Sequence, residues 1–94
     1  MRASEALLAY VVSVLEATRS HPLADTGASP RAGLQLLAAA RARAALRGRD
    51  YVTPDDIQVL AVSVLAHRIE PVAAAALDAP LEIVADALKD VPAR

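Results

Sequence analysis

The stretch Ala45-Leu46-Arg47-Gly48-Arg49-Asp50-Tyr51-Val52-Thr53-Pro54-Asp55-Asp56 reads as the end of one helix, a short connection and the start of another. Glycine tolerates the left-handed backbone conformation that commonly closes a helix, so Gly48 marks a C-terminus. Five residues later Thr53 offers a hydroxyl to cap a new helix. Pro54 occupies the first helical position, where its missing N–H costs nothing, and Asp55 and Asp56 complement the positive end of the helix dipole. Behind this start, Ile57, Leu60, Ala61, Val64 and Leu65 recur at helical spacing as one apolar stripe.

Upstream, Ser29-Pro30 repeats the same opening, a capping hydroxyl followed by proline. The spacing predicts a helix from there to about Arg47. It is expected to present Leu34, Leu37, Ala38 and Ala45 on one face, with Gln35, Arg43 and Arg47 opposite. A further helix is predicted from about Ala3 to Arg19, with Leu7, Leu8, Val11, Val14, Leu15 and Thr18 on one side. It stops before Ser20-His21-Pro22, because the residue ahead of a proline is pushed out of the helical region. Leu23 to Ala28 holds Asp25, Thr26 and Gly27, the residue types of a turn or loop. Downstream, the pattern weakens over Arg68 to Pro71, and two readings of Pro71 to Leu77 stay open, a short helical turn or an extended connection. A last helix is predicted from about Pro80 to Asp90, burying Leu81, Val84, Ala85 and Leu88.

Composition bounds what such a chain does. It has 94 residues, 55% of them hydrophobic, enough for one small domain. Ten basic against eleven acidic side chains give a net charge of −1, which argues against sequence-independent attraction to nucleic acid. Tyr10 and Tyr51 are the only aromatic residues, too few for a base-stacking platform. No cysteine is present, so disulfides, thiolate metal sites and cysteine nucleophiles are excluded, and a reducing, cytoplasmic setting is the expectation. The apolar run Ala6 to Val12 falls far short of the ~20 residues a membrane span needs. Arg2 ahead of that run imitates a signal peptide, but Glu5 and Glu16 stand at its ends and no small-residue cleavage site follows.

No autonomous active site is legible. His21 and His67 lack a second ligand at helical metal spacing and read as solvated or helix-end histidines. Capping accounts for Asp55 and Asp56 beside Asp50, without a ligand-rich cation loop. The serines have no accompanying base and acid, and no phosphate-binding loop with its lysine is present. Arg41 falls on the expected apolar face, where it is read as passing the core edge or pairing with Asp55 or Asp56. Arg43, Arg47 and Arg49 form a basic patch, read as a solvated face, with a docking surface for an acidic neighbour as the alternative. The unusual local feature is Gly27-Ala28-Ser29-Pro30-Arg31-Ala32. A helix N-terminus presents unbonded N–H groups and partial positive charge, so a guanidinium in the first turn opposes the dipole by up to ~1 kcal/mol. An external anion would resolve the conflict, and arginine's planar fork suits phosphate oxygens; a side chain turned into solvent would resolve it too.

Taken together, three runs carry a resemblance. Ala24 to Ala32, Ala45 to Asp56, and Val64-Leu65-Ala66-His67-Arg68-Ile69, with Glu16-Ala17-Thr18-Arg19 and His21-Pro22 ahead of them, resemble the C-terminal lid domain of MoxR-type AAA+ ATPases. The resemblance implies an all-α, four-helix lid spanning 1–94, with the ATPase core absent from these residues. It makes Arg31 the sensor 2 residue that approaches the γ-phosphate of ATP, on a helix N-terminus formed by Gly27, Ala28, Ser29 and Pro30. ATP and Mg would be held by the full-length protein, and the lid alone would hydrolyse nothing and bind no cofactor. The implied partners are the AAA+ core, neighbouring subunits of a hexamer and a protein with a von Willebrand factor A domain, for chaperone-like remodelling of partner complexes. No nucleic acid or membrane partner is implied. The stretch Glu70 to Asp78 is richer in alanine than the pattern leads one to expect. The rival readings are a histone-fold-like module, for which Val52 to Ile57 suits a short helix start, and a helix-turn-helix using Arg43 and Arg47. Similar helix lengths and the charge of −1 argue against the first, and the charge argues against the second.

One expectation follows from sequence alone. Thr53→Ala removes a cap and is expected to cost ~1 kcal/mol, lowering the melting temperature by several degrees. An unchanged thermal midpoint would mean that Thr53 is not the cap.

Overall fold

A computed structural model describes residues 3–73, 75 and 77–92. Four helices form: α1 over Glu5–Ser20, α2 over Pro30–Leu46, α3 over Pro54–Leu65 and α4 over Ala79–Asp90. A single 3-10 turn, Ala66–Arg68, extends α3. Two short antiparallel strands, β1 over Ala24–Thr26 and β2 over Glu70–Pro71, pair Ala24 with Pro71 and Thr26 with Glu70. The fold is the all-α bundle expected, with this small ribbon added. The α2–α3 pair and the α1–α4 pair pack together over a shared core.

The ribbon corrects the reading of Leu23 to Ala28 as loop alone, and it gives Pro71 an extended conformation. Neither strand announces itself locally, because Ala, Asp, Glu and Pro are poor strand formers and the pairing is long-range. The Val72 N–H donates to the Leu23 carbonyl at 2.9 Å, continuing the pairing beyond Pro71. Ala74 and Ala76 in the following stretch, like Arg2, lie outside the described residues.

The capping signals hold at both predicted starts. Ser29 Oγ accepts the Ala32 N–H, and Thr53 forms a reciprocal capping box with Asp56. Helix α1 begins two residues later than expected, where Ser4 Oγ accepts the Leu7 N–H at 3.1 Å. Gly48 has φ +75°, and the Arg49 and Gly48 N–H groups return to the Ala44 and Ala45 carbonyls. This double return closes α2 without leaving its last carbonyls bare.

The phase of α2 differs from expectation. Its buried positions are Ala32, Gly33, Leu36, Leu37, Ala40 and Ala44, while Leu34 is 68% exposed and Ala38 and Ala45 face solvent. Alanine on every side gives the apolar pattern no preferred direction, so the four-residue row of Ala32, Leu36, Ala40 and Ala44 sets the contact. Helix α4 is rotated in the same way: Ile83, Val84 and Ala87 are buried, whereas Leu81 and Ala85 are exposed and Leu88 is half-buried. On α1, Leu8 is exposed, and the other five expected positions are buried together with Tyr10. The α3 stripe holds, with Ile57, Ala61 and Leu65 buried and Leu60 and Val64 half-buried.

Asp56 is the one carboxylate fully enclosed by the described residues, at 0% exposure. Arg49 engages it with both ends of its fork, Nη1 to Oδ2 and Nη2 to Oδ1, each at 2.8 Å. Arg43 Nη1 donates to Oδ1 at 2.6 Å, and the Thr53 N–H and hydroxyl reach Oδ2 at 2.8 and 3.1 Å. The Arg49 fork above all, with Thr53 and Arg43, holds this carboxyl well below the usual carboxylate range against the opposing effect of burial. The Arg49 guanidinium is raised in turn by the same bond. Arg43, expected opposite the core and solvated, is therefore a structural residue; Arg41 is exposed and does not take that partner.

Acid sensitivity follows. A carboxyl whose folded pKa is depressed stabilises the fold fully above its unfolded value of ~3.9, and that stability drains away as pH falls below it. The melting temperature is expected to fall more steeply from pH ~4.5 to 2.5 in the wild type than in Asp56→Asn. Asp56→Asn is expected to cost about 3 kcal/mol at pH 7, the lower end for a broken enclosed pair, because both arginines can turn toward water. Parallel acid limbs in circular-dichroism melts of the two proteins would contradict this.

Candidate functional site

The first turn of α2 collects the residues singled out in the sequence. Gly27, Ala28, Ser29 and Pro30 line an open concavity of about 490 Å³, together with Arg19, Asp25 and Thr26. Arg31 is exposed one residue beyond that lining, at the second helical position. Ser29 takes the Ala32 N–H and Pro30 has none to offer. Helix α2 has no acidic side chain in its first turn, whereas α1 and α4 each carry one there and α3 carries two. Among the described residues Arg31 makes no ion pair, while Arg43 and Arg49 spend their charge on Asp56. The turn thus combines helix-end polarity with an uncommitted guanidinium, an arrangement suited to an anion with several acceptor oxygens.

The approach to this turn is fixed by α1. Thr18 Oγ1, fully buried, donates to the Leu15 carbonyl at 2.6 Å and accepts the Ala28 N–H at 3.1 Å. Arg19 Nη1 donates to the Ala28 carbonyl at 3.1 Å. Gly27 lies flat on the same turn, where a Cβ would stand 2.4 Å from Arg19 Cα. The two bonds to Ala28 join residues nine and ten apart, and no local pattern in the sequence points to them.

His21 occupies the end of α1 as expected, but it is not solvated. Its side chain is 12% exposed, and Nδ1 accepts the Leu23 N–H at 3.0 Å. The ring proton of the neutral form therefore sits on Nε2, which donates to Asp86 Oδ2 of α4 at 2.7 Å. His67 is exposed in the 3-10 turn. Among the described residues, no group of three or more histidine and carboxylate side chains is arranged to hold a metal ion. No described helix is long and apolar enough to cross a membrane. Beside the α2 turn, an apolar groove of about 270 Å³ runs between α1 and α2, lined among others by Leu8, Val12, Pro30, Gly33 and Leu34.

A family model described as the AAA lid domain matches residues 16–90, and the chain belongs to that family. It is similar to the chaperone MoxR1 of Mycobacterium tuberculosis, 47% identical over 73 residues covering 68% of this chain and 19% of the relative. It is similar also to the uncharacterized protein YeaC of Bacillus subtilis, 46% identical over 69 residues covering 73% and 22%. A crystal structure from Cytophaga hutchinsonii, of a protein assigned by inference as an ATPase, superimposes with a TM-score of 0.81 and 31% identity. It covers 98% of this chain, which spans 31% of that one. The MoxR-type lid expected from the sequence is thus the domain found, and it spans about a fifth of the length of these two curated relatives.

The two arginine environments separate on stability. Arg43→Ala removes a short charge-assisted bond to an enclosed carboxylate and is expected to cost about 1.5 kcal/mol, lowering the melting temperature by several degrees. Arg31→Ala removes no contact of this kind and is expected to leave the midpoint within about two degrees. Equal losses in thermal melts would mean that Arg31 is committed to the fold.

Proposed function

We propose that this chain is the lid of a MoxR-type AAA+ ATPase and that Arg31 acts there as the sensor 2 residue, reading the γ-phosphate of bound ATP. The observation that carries this reading is an exposed arginine, free of ion pairs among the described residues, in the one helix first turn without an acid. A helix N-terminus with a planar donor fork fits phosphate oxygens. ATP with its Mg supplies the scissile phosphoanhydride, and the core domain of the full-length protein supplies what holds and cleaves it.

The residues of this chain do two things on that reading. Arg31 offers charge-assisted bonds while a third phosphate is present and loses them when it is absent, giving the lid two preferred positions. The exposed apolar side chains of Leu8, Val12 and Leu34 beside the same turn provide a non-directional surface on which the lid rests against the core. Coupled around a hexamer of such subunits, the displacement drives chaperone-like remodelling of a partner complex, with a von Willebrand factor A domain protein as the adaptor. The setting is cytoplasmic.

Arg31→Ala in the complete ATPase is expected to slow hydrolysis by one to two orders of magnitude, since a bond to a charged group is worth ~1.5–3 kcal/mol. Arg31→Lys is expected to recover only part of the rate, because an ammonium cannot reproduce the fork. Arg41→Ala, exposed on the same helix, serves as the control. Wild-type turnover by Arg31→Ala at saturating ATP, with the assembly intact, would sink the assignment.

A further inference from the structure

Three contacts converge on the backbone around Ala28, three residues ahead of Arg31. The Ala28 N–H is held by Thr18 Oγ1 and the Ala28 carbonyl by Arg19 Nη1, each at 3.1 Å. Ala28 itself is fully buried. Gly27, the residue before it, lies so close to α1 that any Cβ would meet backbone, 2.4 Å from Arg19 Cα and 2.6 Å from Arg19 N. Backbone cannot step aside as the tip of a flexible side chain can. Between Ala28 and Arg31 stand only Ser29, spent as the cap, and Pro30, whose ring fixes φ. The direction in which the first turn of α2 leaves the corner is therefore set at Ala28.

We propose that Thr18 and Arg19 are positioning residues for Arg31: they clamp the backbone on both sides of the Ala28 Cα to the last turn of α1, so that α1 and the first turn of α2 move as one body. This rests on the reading of Arg31 as the phosphate-sensing residue. A hinge in the 27–29 segment would let Arg31 follow a phosphate while the rest of the lid stayed behind. With both polar groups of Ala28 held and Gly27 seated on α1, displacement of Arg31 is delivered into α1. His21 closes the other side of the corner, joining Leu23 and Asp86 of α4. Only one donor of Arg19 is used on Ala28, so a lysine can replace it, which is not true of Arg31.

The test uses the complete ATPase that carries this lid, with ATP turnover and amide hydrogen exchange of peptides spanning 27–33 as separate readouts. Arg19→Ala is expected to lower kcat about fivefold, as the loss of one hydrogen bond allows. Exchange in 27–33 is expected to rise about tenfold while α3 and α4 stay protected. Arg19→Lys is expected to restore both. Gly27→Ala is expected to approach the slow turnover of Arg31→Ala, and if it fails to fold, the Arg19 pair still decides. In an Arg31→Ala background, Arg19→Ala is expected to cost no further activity; an undiminished second loss would mean that Arg19 acts on its own, overturning the proposal. Wild-type turnover by Arg19→Ala beside a slow Arg31→Ala overturns the clamp and leaves the phosphate reading standing. Wild-type turnover by Arg31→Ala removes the phosphate reading and the positioning role with it, whatever the exchange shows.

Discussion

One enclosed carboxylate organises the larger half of this domain. Asp56 receives donors from the body of α2, from the α2–α3 connection and from the cap of α3, so three segments must be in register before it is satisfied. An uncompensated charge at 0% exposure would cost several kcal/mol, so alternative packings that leave Asp56 unpaired are strongly disfavoured. The apolar core cannot impose that choice. Many of its buried positions are alanine, each contributing little area at ~25 cal/mol per Å², and several rotations of α2 would bury comparable surface. The hydrophobic effect collapses the bundle, and the polar hub selects one arrangement of it.

Thr18 does at the other end of α2 what Asp56 does near its C-terminus. These are the two polar side chains buried among the described residues, and each stands where a connection meets a helix end. Helix α2 is thereby tied at its C-terminal half to α3 and at its approach to α1. The arginines sort by the same logic. Arg43 and Arg49 are consumed by Asp56, Arg19 by a carbonyl, and Arg31 and Arg41 stand exposed. A residue offered to an outside anion has to be one that the fold does not need.

The parts that were legible in the sequence are those decided within a few residues. Ser29-Pro30 and Thr53-Pro54 start helices because a capping oxygen and an absent N–H act locally, and Gly48 ends one because it adopts φ +75°, alone among the described residues in having a positive φ. The phase of α2 was not legible, since the alanines of Leu37 to Leu46 leave the apolar pattern without direction, and Leu36 is buried where Leu34 was expected. The role of Arg43 was missed for the same reason. The β1–β2 pairing and the hold of Thr18 and Arg19 on Ala28 join residues distant in sequence with no compositional mark. For the Arg31 turn, the motif was legible through its resemblance to a family; the mechanical corner behind it was not.

On the proposed reading of Arg31, a lid built this way separates contact from information. The groove beside α2, with Leu8 at 41%, Val12 at 52% and Leu34 at 68% exposure, offers apolar area whose attraction is the same whatever nucleotide is present. State dependence has to come from a directional interaction, and a single charge-assisted bond of ~1.5–3 kcal/mol is the right size. It shifts a two-state equilibrium by one to two decades without locking it. A stronger bond would hold the lid through product release, and a weaker one would be lost in the apolar background. For that modest energy to move a whole domain, the segment carrying Arg31 must be stiff, because a compliant loop would absorb it as local strain. On the clamp proposed above, the buried Thr18 hydroxyl holding Ala28, three residues from the arginine, and the glycine pressed against α1 supply that stiffness.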